Sequence, residues 1–329
     1  MTPLLEAQNI KKVFRSGGLL KKNETMALED LCLQIQDSPP TITGIAGESG
    51  SGKTTLAKLL LGFISPSEGK VKYNGKELEK LTKNERMLFR RDVQAVFQDP
   101  FEVYNPFHKI DHVLTTPLAK YHLAGSKTEM RQMIENALEV IGLQPGETLG
   151  RYPHQLSGGQ RQRIMVARAI LIKPRIILAD EPVSMVDASI RATILQNLLT
   201  LKKEFKISLL YISHDLTTTY QISDNILVLY KGSLVEAGDV ETVIKKPQHP
   251  YTRLLISSIP NRVPEKKWMH EDFLPADQSS ENKKNMKTAC KFVDRCPHAM
   301  AICRQKIPPL YHTSPAHTVR CFLYEGAGE

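Results

Sequence analysis

Nowhere in its 329 residues does the chain hold an apolar run of 18, and no charged start leads into a hydrophobic segment. The first lack excludes a membrane-spanning helix and the second a secretory signal, so the chain is expected to stay in the cytoplasm. Acidic residues are in deficit. The 35 Asp and Glu stand against 44 Lys and Arg, a formal +9, which admits nucleic acid, an anionic membrane surface or nucleotide phosphates as partners without choosing among them. Cysteine is scarce and unevenly spread, with Cys32 alone and Cys290, Cys296, Cys303 and Cys321 gathered late. In a reducing compartment such a cluster suggests metal more than disulfides. The short C-x2-4-C pairs usual at zinc sites are missing, yet four thiolates at C-x5-C-x6-C-x17-C can close a tetrahedral soft-metal site, zinc or iron with sulfur. A chain of this length buries a full core and leaves room for a second small domain.

The most informative stretch is Gly47-Glu48-Ser49-Gly50-Ser51-Gly52-Lys53-Thr54-Thr55, which fits G-x-x-x-x-G-K-[ST], the loop that cradles nucleotide phosphates. Glycines let consecutive N–H groups turn inward on an anion, and the helix that follows adds its positive dipole end. Lys53 then reaches the β and γ phosphates and the Thr54 hydroxyl sits on Mg²⁺. With Gly near 7% of average composition, a chance match in so long a chain is on the order of one in a hundred. The context agrees, since Thr41 to Ala46 (TITGIA) reads as a short buried strand and Thr54 to Phe63 as a helix.

Around this loop the chain divides into segments of different period. Leu4 to Phe14 and Ala27 to Ile35 alternate as strands, with Leu31, Leu33 and Ile35 on one face and Gly17-Gly18 and Lys21-Lys22 in the loop between. Val71-Lys72-Tyr73, followed by Asn74-Gly75, adds a strand and a turn to this antiparallel region. From about residue 100 to 165 the signal is helical. Its clearest helix is Lys127 to Leu143, where Met130, Met133, Ile134, Ala137, Leu138 and Ile141 form a packing stripe behind a Ser126 and Glu129 capping box, with Pro145-Gly146 at its end. Arg175 to Ala179 and Leu209 to Ile212 read as buried parallel strands flanking a helix from Ser189 to Phe205, a βαβ unit. Residues 262 to 288 are polar and without period, so a linker or extended loop is expected there.

Two further patterns carry chemistry. Asp180-Glu181 closes the strand Arg175 to Ala179, and neighbouring side chains on a strand serve different places. Asp180 can therefore hold Mg²⁺ while Glu181 polarises the attacking water as a general base. Leu156-Ser157-Gly158-Gly159-Gln160 opens an apolar-periodic helix, Arg161 to Ile172, and Ser with two glycines at that position makes a second anion-binding nest.

Taken in order, the loop at 47 to 54, LSGGQ at 156 to 160 and the acidic pair at 180 and 181 resemble the Walker A, signature and Walker B motifs of ABC transporter ATP-binding subunits, over roughly residues 4 to 260. The resemblance implies an α/β P-loop NTPase fold with a RecA-like parallel-sheet core, an antiparallel β subdomain and a helical subdomain. It also gives three single residues a role: Gln98 as the Q-loop glutamine near the Mg²⁺ and the attacking water, Asp187 as the D-loop aspartate, and His214 as the switch histidine toward the γ-phosphate. Met185-Val186 departs from the Ala-Leu usual in that D-loop. Phe14 stands where members often carry Tyr, which fits either a ring stacked on adenine or a buried strand residue.

Arg151-Tyr152-Pro153-His154, His249-Pro250-Tyr251-Thr252 and Arg295-Cys296-Pro297-His298 narrow the resemblance to the oligopeptide, dipeptide and nickel importer branch. What this implies is an ATPase domain over 1–260, with its helical subdomain at about 100–165, and a C-terminal extension over 261–329 whose four cysteines bind a [4Fe-4S] cluster. It further implies ATP hydrolysis with Mg²⁺ at the cytoplasmic face of the membrane, driving uptake of peptide, or alternatively of nickel or oligosaccharide. The implied partners are a second, paralogous ATPase subunit arranged head to tail, two permease subunits and, indirectly, an extracytoplasmic solute-binding protein. A soluble ATPase acting on nucleic acid or ribosomes is the rival reading. Against it, the chain has neither a long coiled-coil insertion nor a second cassette, so no nucleic acid is expected.

Overall fold

Alternating apolar residues near the start build a sheet that is buried on one face only. The computed structural model describes residues 2–16, 23–96, 104–184, 186–259 and 288–326. Strand β1 (Leu5–Ser16) pairs antiparallel with β2 (Asn23–Ile35), and Leu31, Leu33 and Ile35 are all buried as the alternation requires. The chain then enters β3 (Ile42–Ala46), every residue of which is buried, turns through the glycine-rich loop and starts α1 (Lys53–Leu60). It returns to the first sheet as β4 (Glu68–Tyr73) and β5 (Lys76–Glu77), giving the order β2-β1-β4-β5. Asn74 and Gly75 make the tight turn between them, both at positive φ, 48° and 78°.

Next come α2 (Lys83–Asp92) and β6 (Val93–Val96), then the helices α3 (Ile110–Lys120), α4 (Lys127–Val140) and α5 (Gly158–Ile170). The chain continues through β7 (Ile176–Asp180), α6 (Ala188–Lys203), β8 (Ser208–Ile212), α7 (Leu216–Ile222), β9 (Asn225–Tyr230) and β10 (Ser233–Asp239). Short helices α8 (Val240–Lys245) and α9 (Pro250–Ser257) precede a late hairpin of β11 (Tyr311–Ser314) and β12 (His317–Val319). These strands form one sheet in the order β11-β12-β10-β9-β3-β8-β7-β6, parallel from β9 to β6 and antiparallel from β9 outward to β11.

Both faces of the parallel part are covered, which is why its strands read as unbroken apolar runs. Ile177, Ala179, Leu209 and Tyr211 face a core shared with α3 to α6. Their strand neighbours Ile176, Leu178, Leu210 and Ile212 face the core built by α1 and the antiparallel sheet. A third cluster joins Val228, Tyr230 and Val235 to Tyr251 and Phe292, so residues after 288 pack on the same body.

Several boundaries differ from the sequence expectation, each for a local reason. Helix α1 stops at Leu60 rather than Phe63, because Gly62 takes φ 67°. Helix α4 stops at Val140 rather than Leu143, ended by Gly142 at φ 70° and not by Pro145. Its capping box is half formed: the Ser126 hydroxyl accepts the Glu129 amide at 3.1 Å, but the Glu129 carboxylate takes the Gly125 amide instead of that of Ser126. Helix α5 begins at Gly158, inside the LSGGQ run rather than after it, and α6 spans Ala188–Lys203 rather than Ser189 to Phe205. The expected loop at 17–22 and the expected linker at 262–288, its last residue excepted, lie outside the described residues.

Candidate functional site

The central strands β3, β8 and β7 are neighbours and run parallel, so whatever follows their carboxyl ends is brought together. The phosphate loop follows β3, Asp180-Glu181 closes β7, and His214 follows β8. Three segments far apart in sequence thus meet at one sheet edge.

Within the loop Gly47 has φ 148°, and a Cβ there would lie 2.2 Å from the Leu229 carbonyl oxygen. Gly52, at φ 105°, would put a Cβ 2.6 Å from the Ala27 carbonyl oxygen of β2. Only glycine fits either place. Ser49, Gly50 and Thr54 are exposed, Thr55 is half-buried, and the Ser51 amide donates to the Glu48 carbonyl at 3.1 Å. The Lys53 ammonium is buried and folded back on its own loop, donating to the carbonyls of Gly47 at 2.7 Å and Glu48 at 2.9 Å. Burial holds its pKa below the usual lysine value, opposed by the nearby carboxylates of Glu181, Asp180 and Glu48.

Asp180 is shifted upward, first by burial, then by the charge of Glu181, while a hydrogen bond with Thr54 pulls the other way. Its Oδ1 is buried and has no hydrogen-bond partner among the described residues. A desolvated carboxylate oxygen without a donor, beside a threonine hydroxyl, is a donor set suited to a hard divalent cation. Glu181 adopts a left-handed backbone, φ 48°, and its amide donates to the Ile212 carbonyl of β8 at 2.9 Å. This conformation is costly for a side-chain-bearing residue. Glu181 Oε1 then lies 3.0 Å from Nδ1 of His214, whose side chain is 60% exposed against 16% for the glutamate.

The second nest is built as an N-cap. The Ser157 hydroxyl accepts the Gln160 amide at 3.2 Å, and the Gln160 side chain accepts the Ser157 amide at 2.9 Å. Gly159 lies against Ile190, where an added Cβ would come within 3.0 Å, and Gly158 has open space. Helix α5 packs on α3, α4 and β6, whereas α1 packs on β1, β2 and β7, so the starts of the two helices stand on different parts of the molecule. Asp187 caps α6 through its backbone carbonyl and leaves its side chain out of the cap. Phe14 is 42% exposed on β1 with the Lys12 ammonium 5.4 Å from its ring, so the ring is open to stacking and is not a buried strand residue. Gln98 and Met185 lie outside the described residues.

Cys290, Cys296, Cys303 and Cys321 share the lining of one cavity of about 10 Å³, with Phe292 and His298 beside them. Burial pushes the thiols of Cys290, Cys296 and Cys321 up to about 11. The expected tetrahedral metal site is not formed: among the described residues no three His, Cys, Asp or Glu side chains are placed to hold a metal ion. The cavity has room for about one water, so as the side chains stand a four-iron cluster does not fit between them.

The bonds that join this late region to the rest come from residues to which sequence patterns assign no role. Arg295 and Tyr251 sit in short runs noted for resemblance alone, yet both bond Glu48 of the phosphate loop. His249 is buried, its pKa held down at about 4 by that burial, and its Nδ1 accepts the Tyr251 amide at 3.0 Å. Glu236, fully buried, accepts from the amides of Gln248 and His249 and pairs with His317 Nε2 at 2.8 Å.

Comparison with known proteins gives one consistent result. The family model described as ABC transporter matches residues 28–184, and that described as the oligopeptide/dipeptide transporter C-terminal region matches residues 235–303. YkfD and AppF of Bacillus subtilis (strain 168), both named as oligopeptide transport ATP-binding proteins, are 37% and 35% identical to this chain. The matches cover 99% and 98% of this chain and 97% of each relative. Among solved structures, a dimer of the ATP-binding cassette MJ0796 in a post-hydrolysis state with ADP and Pi has a TM-score of 0.64 at 28% identity. It covers 72% of this chain and 98% of the other.

Proposed function

We propose, from the premise that this chain belongs to the ABC transporter ATP-binding family and carries the C-terminal region of its oligopeptide/dipeptide branch, that the site at the ends of β3, β7 and β8 is its motor. The chain is the ATP-hydrolysing subunit of an importer, and oligopeptides are the cargo its relatives are named for. The observation that carries the site assignment is the pairing of Glu181 with His214 at 3.0 Å, beside a lysine and an aspartate that burial drives toward their neutral forms.

ATP is the substrate of the loop from Gly47 to Thr55. Lys53 exchanges its loop carbonyls for phosphate oxygens, and the first-turn amides of α1, which have no earlier helical carbonyl to bond, donate to the same anion. Thr54 and Asp180, with Gln98, would hold Mg²⁺, which when bound neutralises charge developing on the β and γ phosphates. Glu181 orients the attacking water and takes its proton. His214 holds the carboxylate in place and meets the γ-phosphate. Phe14 stacks on the adenine, and Asp187 lies at the start of the helix that follows the motor.

Ser157, Gly158, Gly159 and Gln160 stand on another part of the molecule, which supports a site completed by a second ATPase subunit, head to tail, paralogous to this chain. Driving a decisive two-state closure takes a preference of about 5 kcal/mol, within reach of charge-assisted hydrogen bonds from two facing nests. The permeases of such an importer need a foothold. A cavity of about 490 Å³ between the antiparallel sheet and the helices is lined by apolar residues, Leu59, Phe63 and Phe89 included, and by charges of both signs, with Arg90, Lys120 and Arg168 beside Glu77 and Glu79. An amphipathic cytoplasmic helix suits it. No helix among the described residues is long and apolar enough to cross a membrane, which agrees with a peripheral place on the cytoplasmic face.

For the four cysteines we favour the [4Fe-4S] reading on the strength of four soft donors sharing one cavity, although the thiols must open outward to admit it. Iron and acid-labile sulfide in anaerobically purified protein are the expected finding; protein folded and active without either removes the assignment. The motor itself is tested by Glu181→Gln. ATP binding should persist while turnover falls by at least about 100-fold, as loss of a general base does, and near-normal turnover would contradict the role given to Glu181.

A further inference from the structure

Glu48 occupies one of the unspecified positions of the phosphate loop, so the motif assigns it nothing, yet it is the most heavily tethered residue there. Its carboxylate receives both arms of the Arg295 guanidinium, Nη1 to Oε2 and Nη2 to Oε1, each at 3.0 Å. Its amide donates to the Tyr251 hydroxyl at 2.8 Å, and its carbonyl accepts the Lys53 ammonium at 2.9 Å. Arg295 and Tyr251 both come from beyond the motor motifs, 247 and 203 residues further along the chain.

The clamp is itself braced. Arg295 lies over the rings of Phe292 at 5.6 Å and Tyr230 at 5.9 Å. Those two rings and Tyr251 pack on one another at 4.5 to 5.5 Å between centroids. A planar guanidinium held on aromatic faces and aligned fork to fork with a carboxylate loses little further freedom on pairing, unlike an ordinary surface ion pair. Glu48 needs that support, because Gly47 before it and Gly50 after it hold positive φ values of 148° and 77° that glycine alone adopts freely. A loop so rich in glycine has many conformations to lose when it closes on an anion.

We propose that Arg295, backed by Tyr251, is a positioning residue for the phosphate loop: by fixing Glu48 it presets the amides that follow and raises affinity for ATP without touching the nucleotide. This rests on the reading of residues 47 to 55 as the nucleotide site.

The test uses the full chain and Mg-ATP, comparing the wild type with Arg295→Met, Arg295→Lys, Glu48→Gln and the Arg295→Met/Glu48→Gln double variant by calorimetric Kd, kcat and KM, and thermal melting. Arg295→Met should weaken ATP binding about 3- to 10-fold and raise KM with kcat nearly unchanged, the effect expected of lost preorganisation. Glu48→Gln should act in the same direction, the double variant should be no worse than the poorer single one, and Arg295→Lys, lacking the fork, should restore only part of the loss. Should Arg295→Met fail to fold, the half-exposed Glu48→Gln carries the comparison. Wild-type affinity in the single variants, whatever happens to their melting, overturns the proposal, as do losses that simply add in the double variant. A wild type that binds no ATP overturns the nucleotide-site reading instead.

Discussion

Glu181 shows why some residues can be named from sequence while their arrangement cannot. An acidic pair after an apolar strand is visible as letters, but the left-handed backbone of Glu181 and its amide's hydrogen bond to Ile212 on the neighbouring strand are not. The same holds for His214, whose 3.0 Å approach to Glu181 depends on β7 and β8 being adjacent. His249 was legible only as part of a resemblance, since nothing in HPYT says that its imidazole is buried and caps α9. That burial has a consequence for pH. The folded-state pKa is lowered to about 4 from an ordinary 6.5, so as pH falls through this window the unfolded chain takes up a proton that the folded chain refuses. Stability conferred by neutral His249 is therefore complete above pH 6.5 and lost progressively toward pH 4, by about 3 kcal/mol at 1.36 kcal/mol per unit. His249→Asn keeps a capping acceptor and removes the titration. Melting temperatures at pH 7 and pH 4.5 should fall further for the wild type than for this variant; equal falls would contradict the assignment.

Among elements, helices with a clean apolar stripe were placed well and their ends less so. The Ile134, Ala137 and Leu138 face of α4 is buried as its spacing requires, but the helix ends at Gly142 because that residue alone can take φ 70° there. Its amide donates to Glu139 O and the Leu143 amide to Leu138 O, each at 2.9 Å, closing the last turn. Gly142→Ala should cost about 1 kcal/mol through backbone strain alone, since the nearest atom to the new Cβ is 3.6 Å away. A melting temperature lower by a few degrees is expected. An unchanged one would mean that Gly142 is not what ends the helix. The sequence pattern does not single out β5, β6, β9, β10, β11 or β12. Four of these are only two to four residues long, β9 and β10 are longer yet pass unmarked, and β12 gains its meaning from pairing with β10, with Glu236 opposite Val319. Register of that kind is not written in a run such as HTV.

At the scale of the whole molecule, the late residues are bonded into both sheets. Lys291 pairs with Glu29 of β2 at 2.8 Å, Arg320 reaches the Leu234 carbonyl and Asp30, and β12 extends the large sheet. The cysteine-lined cavity is walled in part by Cys296, the residue after Arg295, and by Phe292, whose ring lies under that guanidinium, so it adjoins the clamp on Glu48. The parallel core was foreseeable from unbroken apolar runs, whereas the strand order that puts β8 between β3 and β7 was not, because adjacency is a property of the folded chain. That order is what gathers the loop, the carboxylates and His214 at one edge, and on it the functional account depends. Its most direct test is calorimetric titration of the folded chain with Mg-ATP, wild type beside Lys53→Ala. Saturable binding of one nucleotide per chain, lost in the variant, is the predicted result; no binding by the wild type, or the same binding by both, would contradict it.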